Sequence, residues 1–194
     1  PEDIAGMTAQ QKIDYVIKDL GLHDVEAFIM TLPESIAWLL NIRAHDIPHI
    51  PVALSYAVLL ATGSIHWFLD KKRLPDDVFC SFPSWVKIED PQNLERFLSQ
   101  VVVKRIGLDY RRSSIYFFNL LRKLGVEVID CKDPCIDRRA CKTPQEQQAM
   151  RQAHKRDGVA MVKFLKWFSE QSHKQSLSEI SVEKKLNHFR AQPQ

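Results

Sequence analysis

Residues 39–51, LLNIRAHDIPHIP, set Arg43, His45, Asp46 and His49 between two apolar runs. A carboxylate with two imidazoles at such short spacing is a donor set for a divalent metal. A guanidinium beside them suits a substrate carboxylate, which it can grip through a planar fork of N–H donors. A small hydrolase built on His45, Asp46 and His49 would use both features. The structural alternative needs no ligand: Arg43 pairs with Asp46, the pair pins the loop across a sheet end, and the histidines bond to backbone and carboxylates. Other catalytic signatures are missing. There is no HExxH, no GxGxxG and no phosphate-binding glycine loop.

Cysteine supplies the second chemical cluster, Cys131, Cys135 and Cys141 in CKDPCIDRRAC. The x3 and x5 spacings fit no standard zinc pattern and no histidine follows at finger spacing. Reduced structural thiols in a cytosolic protein, or one local disulfide, account for them.

The elements that must position these groups read as an alternating α/β chain. Thr8 and Gln11 form a capping box for a helix with Ile13, Val16, Ile17 and Leu20 on one stripe and Gly21 as its stop. Residues 25–30 read as a buried strand, and 33–40 as a short helix opened by Pro33 and ending at the loop. Two apolar runs around ATGS within 55–70 predict a hairpin. SWVKIED, VVVKRIGLDY and VEVID are strands; a helix with Asp90 as N-cap and one capped near Ser113 and stopped by Gly125 separate them. Val101 to Val103 fit either neighbouring element. Trp38 and Tyr56 are expected in the core. Strands alternating with amphipathic helices imply an α/β fold, a mixed sheet sandwiched by helices, with the antiparallel hairpin making it mixed.

The character changes at residue 142. Thr143, Pro144 and Glu146 start a helix running to about Gln171, with Ala149, Ala153, Ala160, Phe164 and Phe168 on one face. Val159, Met161, Val162, Leu165 and Trp167 widen its apolar surface. A last helix in SLSEISVEKKLNHFRAQ carries Ile180, Val182, Leu186 and Phe189. Two helices cannot cover a surface this wide, so the tail calls for a partner: the preceding domain, another chain or a continuation of this one. His154, Arg156 and Asp157 are expected to form i,i+3 pairs along the helix. Boundaries of 1–141 and 142–194 follow, and with proline rather than methionine first, the natural N-terminus is expected to lie elsewhere.

Composition excludes several classes. A net charge of +3 on 194 residues, spread over separate basic pairs, gives no nucleic-acid footprint. No signal peptide and no apolar run of 18 residues is present, so no membrane role is expected.

The run ESIAWLLNIRAHDIPHIPVALSYAVL resembles the second domain of three-domain Xaa-Pro aminopeptidases, and LDYRRSSIYFF, DPC, ACKTPQEQQAMRQAHKRDGVAMVKFLKWF and SEISVEKKLNHFR follow in the same order. The resemblance implies a creatinase/prolidase N-terminal-like domain over 1–141, then the opening helices of a truncated pita-bread catalytic domain over 142–194. It implies a cytoplasmic, homodimeric metallopeptidase that removes the first residue from peptides with proline second, using two divalent metals, manganese expected. The family's metal ligands match no position here, so the resemblance assigns no catalytic or metal residue and implies a stretch inactive alone. It makes Arg43, Asp46 and His49 a candidate cleft-facing loop shaping substrate access. Ala44 stands where the family has glycine; a positive φ would strain alanine, so a different local backbone is expected there. The rival reading is a non-catalytic binding or dimerisation module of the same fold.

Overall fold

The computed structural model describes residues 2–173 and 176–192. A four-residue helix α1 (Glu2–Ala5) and the longer α2 (Ala9–Leu22) lead into β1 (Ala27–Met30), α3 (Pro33–Leu39), β2 (Tyr56–Leu60) and β3 (Ile65–Phe68). After a 3-10 turn at Lys71–Arg73 come α4 (Asp76–Ser81), β4 (Val86–Glu89), α5 (Leu94–Gln100), β5 (Arg105–Leu108), α6 (Ile115–Lys123), β6 (Glu127–Asp130) and α7 (Cys135–Ala140). Two helices, α8 (Pro144–Gln171) and α9 (Glu179–Ala191), complete the chain. Its contacts divide it into two compact units, the larger built on Met7–Cys141 and the smaller on Asp3–Gly6 with Lys142–Gln194.

In the larger unit one six-stranded sheet runs in the order β4-β3-β2-β1-β5-β6. β1 is parallel to β5 and antiparallel to β2, and the edge pairs β3–β4 and β5–β6 are both parallel. The sheet is mixed, as the sequence predicts. The β2–β3 hairpin turns at Ala61–Ser64, where Gly63 takes φ +94 without the Cβ penalty. Alternation along β1 sends Phe28 and Met30 to one face and Ala27 and Ile29 to the other, all at most 1% exposed. The first face packs on α2 and α3 through Ile13, Val16, Leu20, Ile36 and Leu39. The second packs on α5 and α6 through Leu94, Leu98, Phe117, Leu120 and Leu121. At Gly107 on β5 an added Cβ would lie 2.7 Å from Phe28 and 2.8 Å from Cys131, so the side-chain-free position is required by packing.

Several local signals are realised as read. Thr8 accepts from Gln11 N and closes the predicted capping box, Pro33 opens α3, and Gly125 ends α6 at φ +72. Others are corrected. Gly21 does not stop its helix: α2 continues through it, and the left-handed residue is Asp24 at φ 53. The cap of α6 lies near Ser113 as read, on Ser114, while Ser113 bonds Thr31. Val101 caps α5, and Val101 to Val103 belong to neither element. Asp90 caps a 3-10 turn that leads into α5. Short apolar content hid α4 and α7 from the sequence reading.

The smaller unit is a helix pair. Thr143 and Glu146 form the predicted capping box of α8, and Thr143 Oγ1 also donates to Ala5 O at 3.1 Å. Phe164 stacks with Phe168 and meets Trp167 at a tilt, and Lys185 of α9 lies over the Trp167 ring. Asp157 is held by Arg190 of α9 through Nε at 2.7 Å and Nη2 at 3.3 Å, a pair between helices rather than the expected i,i+3 pair. His154 Nδ1 instead meets Met150 O at 2.9 Å. Among the described residues, no helix is long and apolar enough to cross a membrane.

Candidate functional site

The loop that carries Arg43, Asp46 and His49 begins where α3 ends, and the ending is chemical. Asn41 takes φ 56, its N–H reaches Trp38 O at 3.4 Å, and Ile42 N–H reaches Ala37 O at 3.0 Å. This is the paired C-terminal hydrogen bonding of a Schellman stop, with asparagine in the left-handed place usually given to glycine. Two cations complete it. Lys12 Nζ donates to Trp38 O at 2.8 Å and Asn41 Oδ1 at 2.6 Å, while Arg43 Nη1 donates to Ala37 O at 3.2 Å and Ile42 O at 2.7 Å. Both add a second donor to carbonyls of the last turn, at the negative end of the helix dipole. Asn41 Nδ2 then donates to Met7 O at 2.8 Å, tying the loop's start to the segment before α2.

The expected Arg43–Asp46 pair does not form. Asp46 accepts from Leu54 N at 2.6 Å and pairs with Arg73, whose Nη1 also donates to Leu54 O at 3.3 Å. The loop is therefore pinned at its exit by Arg73 and at its entry by Lys12, with Arg43 serving the helix end. Between them Ile47 and Ile50 bridge across Pro48-His49, with Ile50 N–H on Ile47 O at 3.1 Å. Proline second and a positive φ third are the marks of a type II turn, and His49 occupies the third place at φ 67. Ala44 is not left-handed, in line with a backbone that does not need glycine there; the positive φ values of the loop fall on Asn41 and His49. His45 and His49 are exposed, and Arg43, Asp46 and His49 share no hydrogen bond or ion pair among the described residues.

The following SY pair splits. Ser55 is buried, accepts from Trp67 Nε1 at 2.8 Å and donates to Ala53 O at 3.0 Å. Tyr56 is 42% exposed and meets Phe117 edge-on at 5.0 Å, which corrects its expected place in the core; Trp38, 7% exposed, is in it. Sequence reasoning missed Lys12. Its signal was present, because positions 12, 16 and 20 fall on one helical face with Val16 and Leu20 buried.

The cysteine segment is structural. All four cysteines are free, with Cys131 and Cys135 buried and Cys80 and Cys141 exposed. Asp133, 2% exposed, accepts from Cys135 N at 2.8 Å, and its own N–H donates to Asp109 Oδ2 at 3.0 Å. Burial pushes the Asp133 carboxyl above its ordinary range and the Cys135 thiol well above its own, which makes Cys135 a poor nucleophile.

A mixed sheet between helix layers, with its loop anchored by long-range cations, defines a three-layer α/β domain followed by a helical pair. Residues 1–146 match the Creatinase/Prolidase N-terminal domain, and the chain belongs to that family. It is 30% identical over 197 residues to Xaa-Pro aminopeptidase 1 of Dictyostelium discoideum, covering 98% of this chain and 31% of that protein. Human Xaa-Pro aminopeptidase 2 is 30% identical over 205 residues, 100% of this chain and 30% of the relative. The chain thus spans about a third of the length of these curated relatives. Among solved structures, the Caenorhabditis elegans X-prolyl aminopeptidase, described as a cytosolic enzyme with a di-nuclear active site, superposes at TM-score 0.86 and 26% identity, over 98% of this chain and 32% of that one. The Xaa-Pro dipeptidase of Bacillus anthracis shares the fold at TM-score 0.73 and 13% identity, over 94% and 49%. Among the described residues, no group of three or more His, Cys, Asp or Glu side chains is placed to hold a metal ion.

Proposed function

We propose that this chain is the middle domain, 1–141, and the first catalytic-domain helices, 142–194, of a cytoplasmic, homodimeric Xaa-Pro aminopeptidase. The whole protein removes the first residue from peptides with proline second, and its two divalent metals, manganese expected, are held by residues outside this chain. The observation that carries the reading is the similarity to two such peptidases over 98% and 100% of the chain, helices α8 and α9 included. In that setting the 194 residues alone do not cleave. The loop at Arg43, Asp46 and His49 faces the cleft and shapes access; its double anchoring by Lys12 and Arg73 supports a positioning role. Release of the first residue from an Xaa-Pro peptide, assayed with added Mn²⁺ on the protein purified at its natural length, tests this. Activity there and none from the 194 residues is the expected result. An inactive natural-length protein, or an active 194-residue chain, overturns it.

The rival reading is a non-catalytic docking module. The apolar surface left on α8, with Val162 68% and Leu165 55% exposed, favours it. It predicts a natural protein that lacks activity and copurifies with a partner on that face.

A further inference from the structure

Beside the loop at Arg43 the larger unit carries a chemical feature to which the peptidase reading assigns no ligand. A cleft of about 430 Å³ opens between the end of α3 and the segment around α4, with walls from Leu40, Ile42, Val78, Phe82 and Trp85 and with Arg43 at its side. Arg43 is the one charged side chain among its lining residues. Only Nη1 of its guanidinium is used, on two backbone carbonyls, and it has no ion pair among the described residues. Nε and Nη2 keep their donors. The indole N–H of Trp85 likewise has no hydrogen-bond partner among the described residues.

These groups are held before any ligand arrives. Buried Lys12, 2% exposed, fixes Asn41 in its left-handed conformation two residues before Arg43, and the carbonyls of Ala37 and Ile42 fix the guanidinium itself. A preorganised donor set loses little entropy on binding. A planar cation with an open donor edge matches a carboxylate, and apolar walls with a few oriented polar groups are the general form of a small-ligand site.

We propose that this cleft binds the free C-terminal end of a short peptide, its carboxylate on Arg43 and its last, apolar side chain against Phe82 and Trp85. The charge complementarity selects this occupant over an internal apolar segment of another chain, which would leave the guanidinium unmatched. The site stands independently of the peptidase reading, because binding is measured on these 194 residues without any cleavage.

The test is an NMR titration of the ¹⁵N-labelled chain, following the Trp85 indole N–H, assigned by its loss in Trp85→Phe. The probes are N-acetyl-glycyl-leucine and its C-terminal amide. The acid is expected to saturate with a Kd on the order of 0.1–1 mM, the range for a ligand of this size, and the amide to bind at least about tenfold more weakly. Arg43→Gln should weaken the acid by a similar factor, and Val78→Trp, which fills the cleft from a half-buried helix position in its wall, should abolish the shift. Equal affinity for acid and amide would assign the cleft to an uncharged apolar segment and overturn the proposal. So would wild-type binding by either variant, or the absence of a saturable shift up to about 20 mM.

Discussion

The two units solve the same burial problem to different degrees. In the larger one the sheet has helices on both faces, so β1 is buried on both sides and each face closes its own core. In the smaller one α8 and α9 meet along a single seam: Ala160 and Phe164 are at most 9% exposed, while Val159, Val162, Leu165 and Phe168 remain 38% exposed or more. A sheet offers two flat faces that helices can cover completely, whereas two helices cover one stripe of each other. Stability in the larger unit therefore comes from packing that the chain itself completes. In the helix pair a larger share falls to capping and to the Asp157–Arg190 pair.

The sharpest way to break this contrast is to delete one aromatic ring from each unit. Phe28→Ala, in a side chain 1% exposed, should cost about 3–5 kcal/mol of stability by urea denaturation. Phe168→Ala, at 38% exposure, should cost under about 1 kcal/mol. Equal losses would mean that both units are closed to the same extent. Gly107→Ala should follow at about 1–3 kcal/mol, because its Cβ would overlap Phe28 and Cys131; a neutral result would show that β5 can shift within the sheet.

Acid separates the units by mechanism. His66 lies with its ring centroid 4.1 Å from that of Phe97 and its Nδ1 3.4 Å from Glu89 Oε1. Burial outweighs Glu89 and holds its pKa below the ordinary 6.5. Between those two pKa values the unfolded chain binds a proton that the folded one does not. Stability should therefore fall as pH drops below about 6.5 and level off below the folded pKa. In His66→Gln that step should be missing from a pH series of urea melts. The helix pair should respond later and less. Arg190 draws the Asp157 pKa below 3.8, so the pair's contribution is present above that value and is lost as pH falls through the lowered pKa. Asp157→Asn should lower the helical signal slightly at neutral pH, where the pair is present, and change nothing below the lowered pKa; an equal loss at both pH values would show that the contact does more than pair charges.

Much of the framework was legible because its signals are local. The capping boxes at Thr8 and Thr143, proline at the start of α3 and the turn at Gly63 each involve residues within a few positions, so the sequence carries the whole interaction. All six strands fall within the predicted stretches for the same reason: alternation and apolar runs need no knowledge of the partner strand. The loop behaved differently. Arg43 and Asp46, three residues apart, looked like partners, yet Arg43 is drawn to the carbonyls of α3 and Asp46 to Arg73, 27 positions on. Asn41 was legible as a helix stop only once Lys12, 29 positions back, was seen to hold it.

The sequence by itself determined which stretches hold the six strands and the longer helices, that they form an α/β sandwich, and which family they resemble. Those properties follow from side-chain periodicity and from hydrogen bonds that close within one turn. Only the tertiary structure decided the partners of the loop's charged groups, the left-handed places of Asn41 and His49, and the cleft beside Arg43. A cation or carboxylate can satisfy many acceptors or donors, and the one it meets is set by which distant segments the packed sheet brings within hydrogen-bonding distance.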